Sequence, residues 1–228
     1  MFNFIIKLKC WIKSFFIGLG FGNWMLHKYR YEFSPQQLFL MCNYIRETKS
    51  VEGDIAEIGC YFGDTTVFLN KFMDFEKIDK RYICVDTFTG FDKAAIDFEK
   101  KNREKTHDYR SAYIYNNKKW FEETMRLNGI KRVEVIRADI CSYDFCDNTK
   151  LSFTLIDLDL YSPTKSALEK VYRKLSKNGV IIVDDCRPSL QTHIFDGALA
   201  AYREFVKENN LQELYLLDKL GIIVKNQV

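Results

Sequence analysis

Four aspartates follow two apolar runs in the second half of the sequence. One run ends in an Asp-x-Asp motif, Asp157 and Asp159, and the next run ends in the pair Asp184-Asp185. If the runs are neighbouring parallel strands, their carboxyl ends meet at one edge of a sheet and the four carboxylates share a crevice. Carboxylates without partners repel one another, and a hard divalent cation such as Mg²⁺, Mn²⁺ or Ca²⁺ relieves that repulsion. We therefore expect a metal site here, rather than helix caps and solvent-exposed acids.

An earlier apolar run ends in a loop that contains two glycines, residues 57–64 (EIGCYFGD). Gly59 and Gly63 allow a tight turn and a close approach of the backbone to a ligand, and a helix N-terminus follows. The spacing is G-x-x-x-G instead of G-x-G-x-x-G, which argues against an NAD-dependent oxidoreductase. Glu57, two residues before the first glycine, is typical of sites that bind a cationic or zwitterionic ligand. The loop is expected to bind a cofactor, and a plain tight turn is the alternative.

Asp86 ends the second apolar run and is followed by Thr87 and Phe88. An acid at the end of the second strand can accept hydrogen bonds from both ribose hydroxyls of an adenosine-containing cofactor. The alternative is that Asp86 caps a helix. Asp139, at the end of the third run, is a candidate for contact with the adenine edge.

Two residues are candidates for a general base. His193 follows the Asp184-Asp185 pair and could take a proton from a metal-bound hydroxyl group. A surface histidine is the alternative. Asp159, beside the expected metal, competes for the same role.

A parallel sheet must position these residues. From residue 53 onward, apolar runs alternate with amphipathic stretches, which predicts an α/β fold with a mostly parallel sheet and helices on both faces. The seven expected strands are DIAEIG, RYICVD, VEVIRAD, SFTLIDLD, GVIIVDD, LQELYLLD and GIIVKNQ. A hairpin at residues 219–221 makes the last strand antiparallel. Ser34, Pro35 and Gln37 predict a capped helix before the sheet, and the long polar stretch 93–119 predicts a lid or substrate loop, with a solvated helical excursion as the alternative.

The first 26 residues are apolar but are interrupted by Lys7, Lys9 and Lys13. They match neither a transmembrane helix nor a signal peptide. Their helical wheel has one apolar face with lysine at its edge, which is typical of a helix at a membrane interface. A helix packed on its own domain or on a second subunit is the alternative. We assign residues 1–30 to this segment and residues 31–228 to the main domain.

The composition narrows the class of protein. Lys and Arg number 34 against 31 Asp and Glu, and this balance lacks the basic excess of a nucleic-acid-binding domain, so we expect no nucleic acid partner. Hydrophobic residues make up 47% and charged residues 29%, as in a folded domain. The seven cysteines form no C-x-x-C pair that would suggest a zinc or redox site, and most of them lie inside apolar stretches, which favours a reducing, cytoplasmic setting. If the N-terminal helix binds a membrane, we expect the protein at the inner face of that membrane.

With these residues in view, the chain resembles the TylF/MycF family of macrocin O-methyltransferases, metal-dependent enzymes that methylate sugar hydroxyls. The matching segments extend from about residue 53 to residue 208 and are AEIGCYFGDTT, VDTFTGF, LIDLDLYSPTKSALEKVYRKLSKNGVIIVDD and GALAAYREF. The resemblance implies a Rossmann-like class I methyltransferase fold that binds S-adenosylmethionine. The expected cofactor-binding residues are Glu57, Gly59, Cys60, Tyr61, Gly63, Thr65, Asp86, Thr87, Phe88, Asp139 and Asp157.

The resemblance also implies a metal centre and a reaction. Asp157, Asp184 and Asp185 correspond to the residues that hold Mg²⁺ (or Mn²⁺), and Asp159 to a position proposed as general base. The implied acceptor is a small molecule or glycan with vicinal hydroxyls, such as a nucleotide sugar or a glycolipid. Two departures are Cys186, where the family often has Tyr, and the N-terminal segment, which lies outside the family pattern.

Two other functions compete with this interpretation. An Asp-x-Asp motif can hold a metal against a nucleotide-sugar diphosphate in a glycosyltransferase, but the 57–63 loop and Asp86 together build an adenosine site. A membrane-associated scaffold with the same fold and no activity would not need all four aspartates. A homo-oligomer is compatible with either function.

Overall fold

The computed structural model describes residues 2–21, 29, 31–189 and 194–226. The chain divides into two compact units, Met1–Glu32 and Phe33–Val228. In the first unit, helix α1 spans Phe2–Phe16 and a π-helical turn spans Ile17–Phe21. The turn includes Gly20 at a φ of 91°, a left-handed conformation that interrupts the helix. Among the residues that the structure describes, no helix has the length and apolar character needed to span a membrane.

Helix α2, Pro35–Glu47, begins the second unit and has the predicted cap. The backbone N–H of Gln37 donates to Ser34 Oγ over 3.3 Å, and the Ser34 N–H donates back to Gln37 Oε1 over 2.8 Å. Pro35 occupies the first turn, where its missing N–H costs nothing. The capping box was therefore predicted correctly from the sequence.

A seven-stranded sheet forms the centre of the second unit, in the order β3-β2-β1-β4-β5-β7-β6. Its strands are β1 Asp54–Ile58, β2 Tyr82–Asp86, β3 Val133–Arg137, β4 Leu151–Ile156, β5 Leu175–Val183, β6 Tyr215–Leu216 and β7 Leu220–Val224. The first five strands in this order, β3, β2, β1, β4 and β5, pair in parallel with their neighbours. Strand β7 pairs antiparallel with both β5 and β6. This topology confirms the predicted fold class.

Helices cover the sheet because its central strands are apolar on both faces. The helices are α3 Asp64–Glu76, α4 Lys93–Asn102, α5 Lys118–Leu127, α6 Tyr161–Lys174 and α7 Gly197–Glu208. Every residue of β4 is buried, as expected of a strand with a layer on either side. On one face, α6 and α7 pack through side chains such as Leu168 and Phe205 against Ile58, Val85 and Ile181 of the sheet.

The last hairpin turns earlier than predicted. Its turn contains Leu217 and Asp218, with φ values of 50° and 68°, so two consecutive left-handed residues reverse the chain without glycine. The turn ends β6 at Leu216, and β7 begins at Leu220; β6 itself has only two residues. Lys219 is thereby buried beside the sheet instead of standing in an exposed turn.

Residues 93–119 form a partly helical segment with buried side chains, so they are neither a loop throughout nor the solvated helix of the alternative. Their role as a lid or substrate loop stays a prediction. The segment contains α4 and a 3₁₀ turn at Tyr109–Ser111. Glu99 and Tyr109 are buried within it. The segment therefore has its own contacts with the sheet domain, described below.

Candidate active site

The predicted site residues gather at the carboxyl ends of the parallel strands. The Asp157 N–H donates to Ile58 O over 2.8 Å, and the Asp184 N–H donates to Ile156 O over 2.9 Å. The ladder thus continues one residue past β1, β4 and β5. It holds the 57–64 loop, the Asp-x-Asp motif and the Asp-Asp pair in neighbouring positions along one edge.

Gly59 lets the 57–64 loop pass close to the end of β4. Its φ is 83°, and a Cβ atom at this position would lie 1.9 Å from the carbonyl oxygen of Asp157. Gly63, at a φ of 89°, precedes α3, and a Cβ atom there would meet Phe121 and Met125. Any side chain at either glycine would push the loop away from its neighbours. Thr65 lies half-buried in the first turn of α3.

Asp86 joins this loop to the segment that follows β2. Its Oδ2 accepts the backbone N–H groups of Cys60 over 2.8 Å and Tyr61 over 3.0 Å. Its Oδ1 accepts the N–H of Phe88 over 2.7 Å and the Nδ2 of Asn116 over 3.2 Å. The structure therefore brings Asp86, Cys60, Tyr61 and Phe88 together as expected.

Thr87 and Asp139 stabilise the turns after β2 and β3. The Thr87 hydroxyl donates to Gly90 O over 2.7 Å. Asp139 Oδ1 accepts the N–H of Cys141 over 2.9 Å, so this carboxylate caps the turn that follows β3. Both residues lie at the same edge as Asp86, because the Ala138 N–H continues the ladder to Asp86 O over 3.0 Å.

Glu57 lies beneath the loop and is 2% exposed. Its Oε2 accepts the Thr66 hydroxyl over 2.7 Å and the Tyr82 hydroxyl over 2.8 Å. Burial raises the pKa of Glu57 to about 7, although both hydroxyl donors oppose the shift. These contacts tie β1 to α3 and β2 at the base of the loop.

Asp157, Asp159, Asp184 and Asp185, hereafter the carboxylate cluster, directly follow strands β4 and β5. Burial, followed by the charges of Asp184 and Asp159, raises the pKa of Asp157 well above its usual range. Burial also raises the pKa of Asp184 to about 6, against the effect of Lys219. Asp159 and Asp185 are buried, with left-handed φ values of 61° and 55°. The charges of Asp184, Asp159 and Asp185 thus act on Asp157, although no three of these side chains converge on one point among the described residues.

Two cations contact the carboxylate cluster. Lys219 Nζ lies 2.6 Å from Asp184 Oδ2, and Arg187 Nε lies 3.3 Å from Asp185 Oδ1. Lys219 is 7% exposed, whereas Arg187 is half-buried. Burial alone would lower the pKa of Lys219, but Asp184 and its neighbours raise it above the ordinary value. The Lys219 side chain is therefore a buried ammonium.

The chemistry of the carboxylate cluster suits a hard divalent cation. Asp184 Oδ1 is buried, and no group in the described part of the chain forms a hydrogen bond with it. Carboxylate oxygens without donors are the ligands that Mg²⁺ and Mn²⁺ prefer. No three His, Cys, Asp or Glu side chains converge on one point among the described residues, and Lys219 already holds the other oxygen of Asp184. The residues therefore fit the ion in type but do not form an assembled ligand set, and Lys219 lies beside them.

Residues 93–116 contact this edge of the sheet domain at three places. The Tyr161 N–H, in the first turn of α6, donates to Glu99 Oε1 over 2.7 Å. Arg103 binds Glu99 over 2.8 Å and Asp196, which precedes α7, over 3.0 Å. The buried Asn116 donates to Asp86, and its own Oδ1 has no hydrogen-bond partner within the described ranges.

Two residues of this site were missed from the sequence. Lys219 was assigned to a turn, and Asn116 lies in a polar stretch without periodicity. His193, one candidate base, lies outside the described residues. Asp159, the other candidate, is buried in the carboxylate cluster, and its carbonyl accepts the N–H of Ala198 over 3.0 Å at the start of α7.

Several solved structures share this fold. The O-methyltransferase NovP superposes with a TM-score of 0.70 at 16% identity, covering 84% of this chain and 79% of its own. The calicheamicin methyltransferase CalS11 superposes with a TM-score of 0.65 at 18% identity, covering 85% of this chain and 81% of its own. An rRNA methylase from Streptococcus thermophilus has a TM-score of 0.51 at 15% identity, covering 87% of this chain and all of its own. At these identities the likeness shows a Rossmann-like class I methyltransferase fold.

Sequence comparison identifies the family. No curated protein sequence matches the chain. The sequence profile of the macrocin-O-methyltransferase (TylF) family, however, matches residues 36–225, which is most of the 228 residues. The chain therefore belongs to the macrocin-O-methyltransferase (TylF) family and is an O-methyltransferase.

Proposed function

We propose that this protein transfers the methyl group of S-adenosylmethionine to a sugar hydroxyl, with Mg²⁺ or Mn²⁺ as a second cofactor. The observation that carries the proposal is the position of the buried carboxylate cluster, which begins on the strand next to the 57–64 loop. Family membership supports methyl transfer. A related fold, CalS11, is described as a TDP-rhamnose 3'-O-methyltransferase, which supports a sugar acceptor. The acceptor class is a nucleotide sugar, glycan or glycolipid with vicinal hydroxyls.

We assign the S-adenosylmethionine site to the 57–64 loop and Asp86. The N-terminus of α3, which follows Gly63 and has no side-chain cap, suits the carboxylate of the cofactor because the helix dipole favours an anion there. Asp86 is the acceptor for the ribose hydroxyls. Its Oδ1 already receives hydrogen bonds from Phe88 and Asn116, so cofactor binding requires Asn116 to share this oxygen or to move.

We assign Asp157, Asp184 and Asp185 to the divalent cation. When bound, the cation lowers the pKa of the acceptor hydroxyl that it contacts. Asp159 takes the proton, because it is buried in the same cluster, and His193 is the alternative base. The acceptor oxygen forms its bond to the methyl carbon as the bond from that carbon to the sulfonium sulfur breaks. The protein contributes mainly the alignment of these atoms.

Calorimetry tests the cofactor assignment directly. Wild type is expected to bind S-adenosylmethionine, and Asp86→Ala to bind at least about tenfold more weakly, because the ribose loses its acceptor and the 57–64 loop loses its hydrogen bonds to Asp86. Asp79→Ala is the matched control, since this exposed acid precedes β2 at the opposite edge of the sheet. Absence of binding by wild type, with and without Mg²⁺, would contradict the proposal.

Turnover tests the acceptor and the metal. With a panel of nucleotide sugars, release of S-adenosylhomocysteine is expected to require a divalent cation and to stop when EDTA removes it. Asp159→Asn is expected to lose most turnover but to keep cofactor binding. Full turnover in EDTA would contradict the metal assignment.

A further inference from the structure

Lys219 reaches the carboxylate cluster because of the way β7 enters the sheet. The pairing of β5 with β7 continues beyond both strands, where the Cys186 N–H donates to Lys219 O over 2.8 Å. Lys219 is therefore fixed at the level of the Asp184-Asp185 pair. Its side chain is 9% exposed and lies over the ring of Phe33, with Nζ 4.5 Å from the ring centroid. The ammonium has a defined, buried position.

The ammonium contacts one carboxylate and influences the others. Nζ lies 2.6 Å from Asp184 Oδ2, and its charge also acts on Asp157 and Asp185. Asp184 Oδ1, by contrast, is buried and lacks a hydrogen-bond partner in the described ranges. One oxygen of Asp184 is thus bound to the Lys219 ammonium, and the other remains available to a second cation.

We propose that Lys219 is a built-in cation of the carboxylate cluster, which occupies Asp184 Oδ2 and thereby weakens divalent-cation binding to the same aspartates. This inference rests on the proposed metal site. Two cations that share one buried carboxylate repel each other, and the repulsion is strong where water is excluded. The divalent cation is consequently held more loosely than the aspartates alone would hold it.

A purely structural ion pair makes a different prediction for the same residue. In that case, removing Lys219 leaves Asp184 buried without its partner, and the fold is destabilised whatever the solution contains. If Lys219 instead competes with a metal, its removal leaves a site with one more carboxylate oxygen for the ion. Added metal then restores the stability that was lost. Metal binding and stability together separate the two roles.

The test is Mn²⁺ binding to the full-length protein, measured by the electron paramagnetic resonance signal of free Mn²⁺. Lys219→Met is expected to bind Mn²⁺ at least tenfold more tightly than wild type, and Lys219→Arg, which keeps the charge, to bind like wild type. Lys225→Met is the control, because Lys225 follows the same strand and binds the carbonyls of Tyr172 and Leu175, away from the carboxylate cluster. Lys219→Gln, which is neutral and can still donate to Asp184, provides the same comparison if Lys219→Met does not fold.

The melting temperature supplies a second readout. Mn²⁺ is expected to raise it further in Lys219→Met than in wild type. Equal or weaker Mn²⁺ binding by the neutral variants would overturn the inference, as would equal tightening in Lys225→Met. Binding of S-adenosylmethionine in EDTA is measured on the same samples. Its loss in wild type points to failure of the proposed function, whereas normal binding with unchanged Mn²⁺ affinity points to failure of the Lys219 inference alone.

Discussion

At the residue scale, the ionisation of Glu57, at the base of the 57–64 loop, makes the free energy of unfolding depend on pH. Its pKa of about 7 lies above the ordinary value of 4.5, so the folded protein holds this proton more tightly than the unfolded chain does. The contribution of protonated Glu57 to stability is complete below pH 4.5 and is lost as the pH rises through 7. Glu57 therefore lowers the free energy of unfolding at neutral pH.

Replacing Glu57 by Gln should remove this dependence, because Gln keeps an acceptor for Thr66 and Tyr82 but does not ionise. Relative to wild type, Glu57→Gln is expected to gain stability between pH 5 and pH 8, by at most about 3 kcal/mol, since one pKa unit is worth about 1.4 kcal/mol. Urea unfolding at several pH values measures the difference. The control is Glu122→Gln, at an exposed position on α5, for which the difference in the free energy of unfolding from wild type should not change with pH. A constant difference for Glu57→Gln would contradict the expectation.

The aspartates of the site could be predicted from the sequence, whereas Lys219 and Asn116 could not. Asp86, Asp157 and Asp184 follow apolar runs, and the position of a residue after a parallel strand determines the edge at which it lies. Lys219 depends on a turn made by two left-handed residues that are not glycine, which no local pattern reveals. Asn116 contacts Asp86 across 30 residues of sequence, and its segment has no apolar period.

At the element scale, α4 is attached to two other helices by one buried carboxylate. Glu99 is 1% exposed, accepts the Tyr161 N–H at the start of α6, and pairs with Arg103. Arg103 continues the contact to Asp196 before α7. A carboxylate at a helix N-terminus is also favoured by the helix dipole. Glu99 thus helps to hold residues 93–116 against α6 and α7.

Glu99→Ala is expected to destabilise the protein by about 2–3 kcal/mol, because the Tyr161 N–H and Arg103 lose a buried charged partner. Amide hydrogen exchange should increase in residues 93–116 more than in the strands. Lys100→Ala, an exposed change on the same helix, is the control. Exchange that rises equally throughout the domain would indicate general destabilisation and would contradict a specific role for Glu99 in holding this segment.

At the scale of the whole molecule, one edge of the sheet carries the proposed chemistry. The strand order was predictable in outline, because alternating apolar and amphipathic stretches specify βαβ units and a parallel sheet. The brevity of β6 and the packing of residues 93–119 were not predictable, since both depend on contacts between distant parts of the chain. The second unit contains all the residues that the family profile matches, whereas α1 belongs to the first unit.

The charge of the first unit suggests what α1 binds. The first acidic residue of the sequence is Glu32, so Lys7, Lys9 and Lys13 have no acidic residue near them in the sequence. Trp11 and Phe15 stack along α1 with their ring centroids 6.1 Å apart, which adds an aromatic face. Basic residues bordering an aromatic face are typical of helices that lie at an anionic lipid surface. We propose that α1 binds such a surface.

Cosedimentation with vesicles of phosphatidylcholine and phosphatidylglycerol tests this assignment. Changing Lys7, Lys9 and Lys13 together to Glu should weaken binding on the order of 100-fold or more, since each lysine near such a surface contributes about 1 kcal/mol. The control changes three exposed lysines of the second unit, Lys71, Lys177 and Lys207, to Glu. Binding should fall as salt rises, because counterions screen the attraction. If both triple variants bind vesicles like wild type, and light scattering instead shows that only the first disrupts a dimer, α1 binds a second subunit and the lipid assignment is wrong.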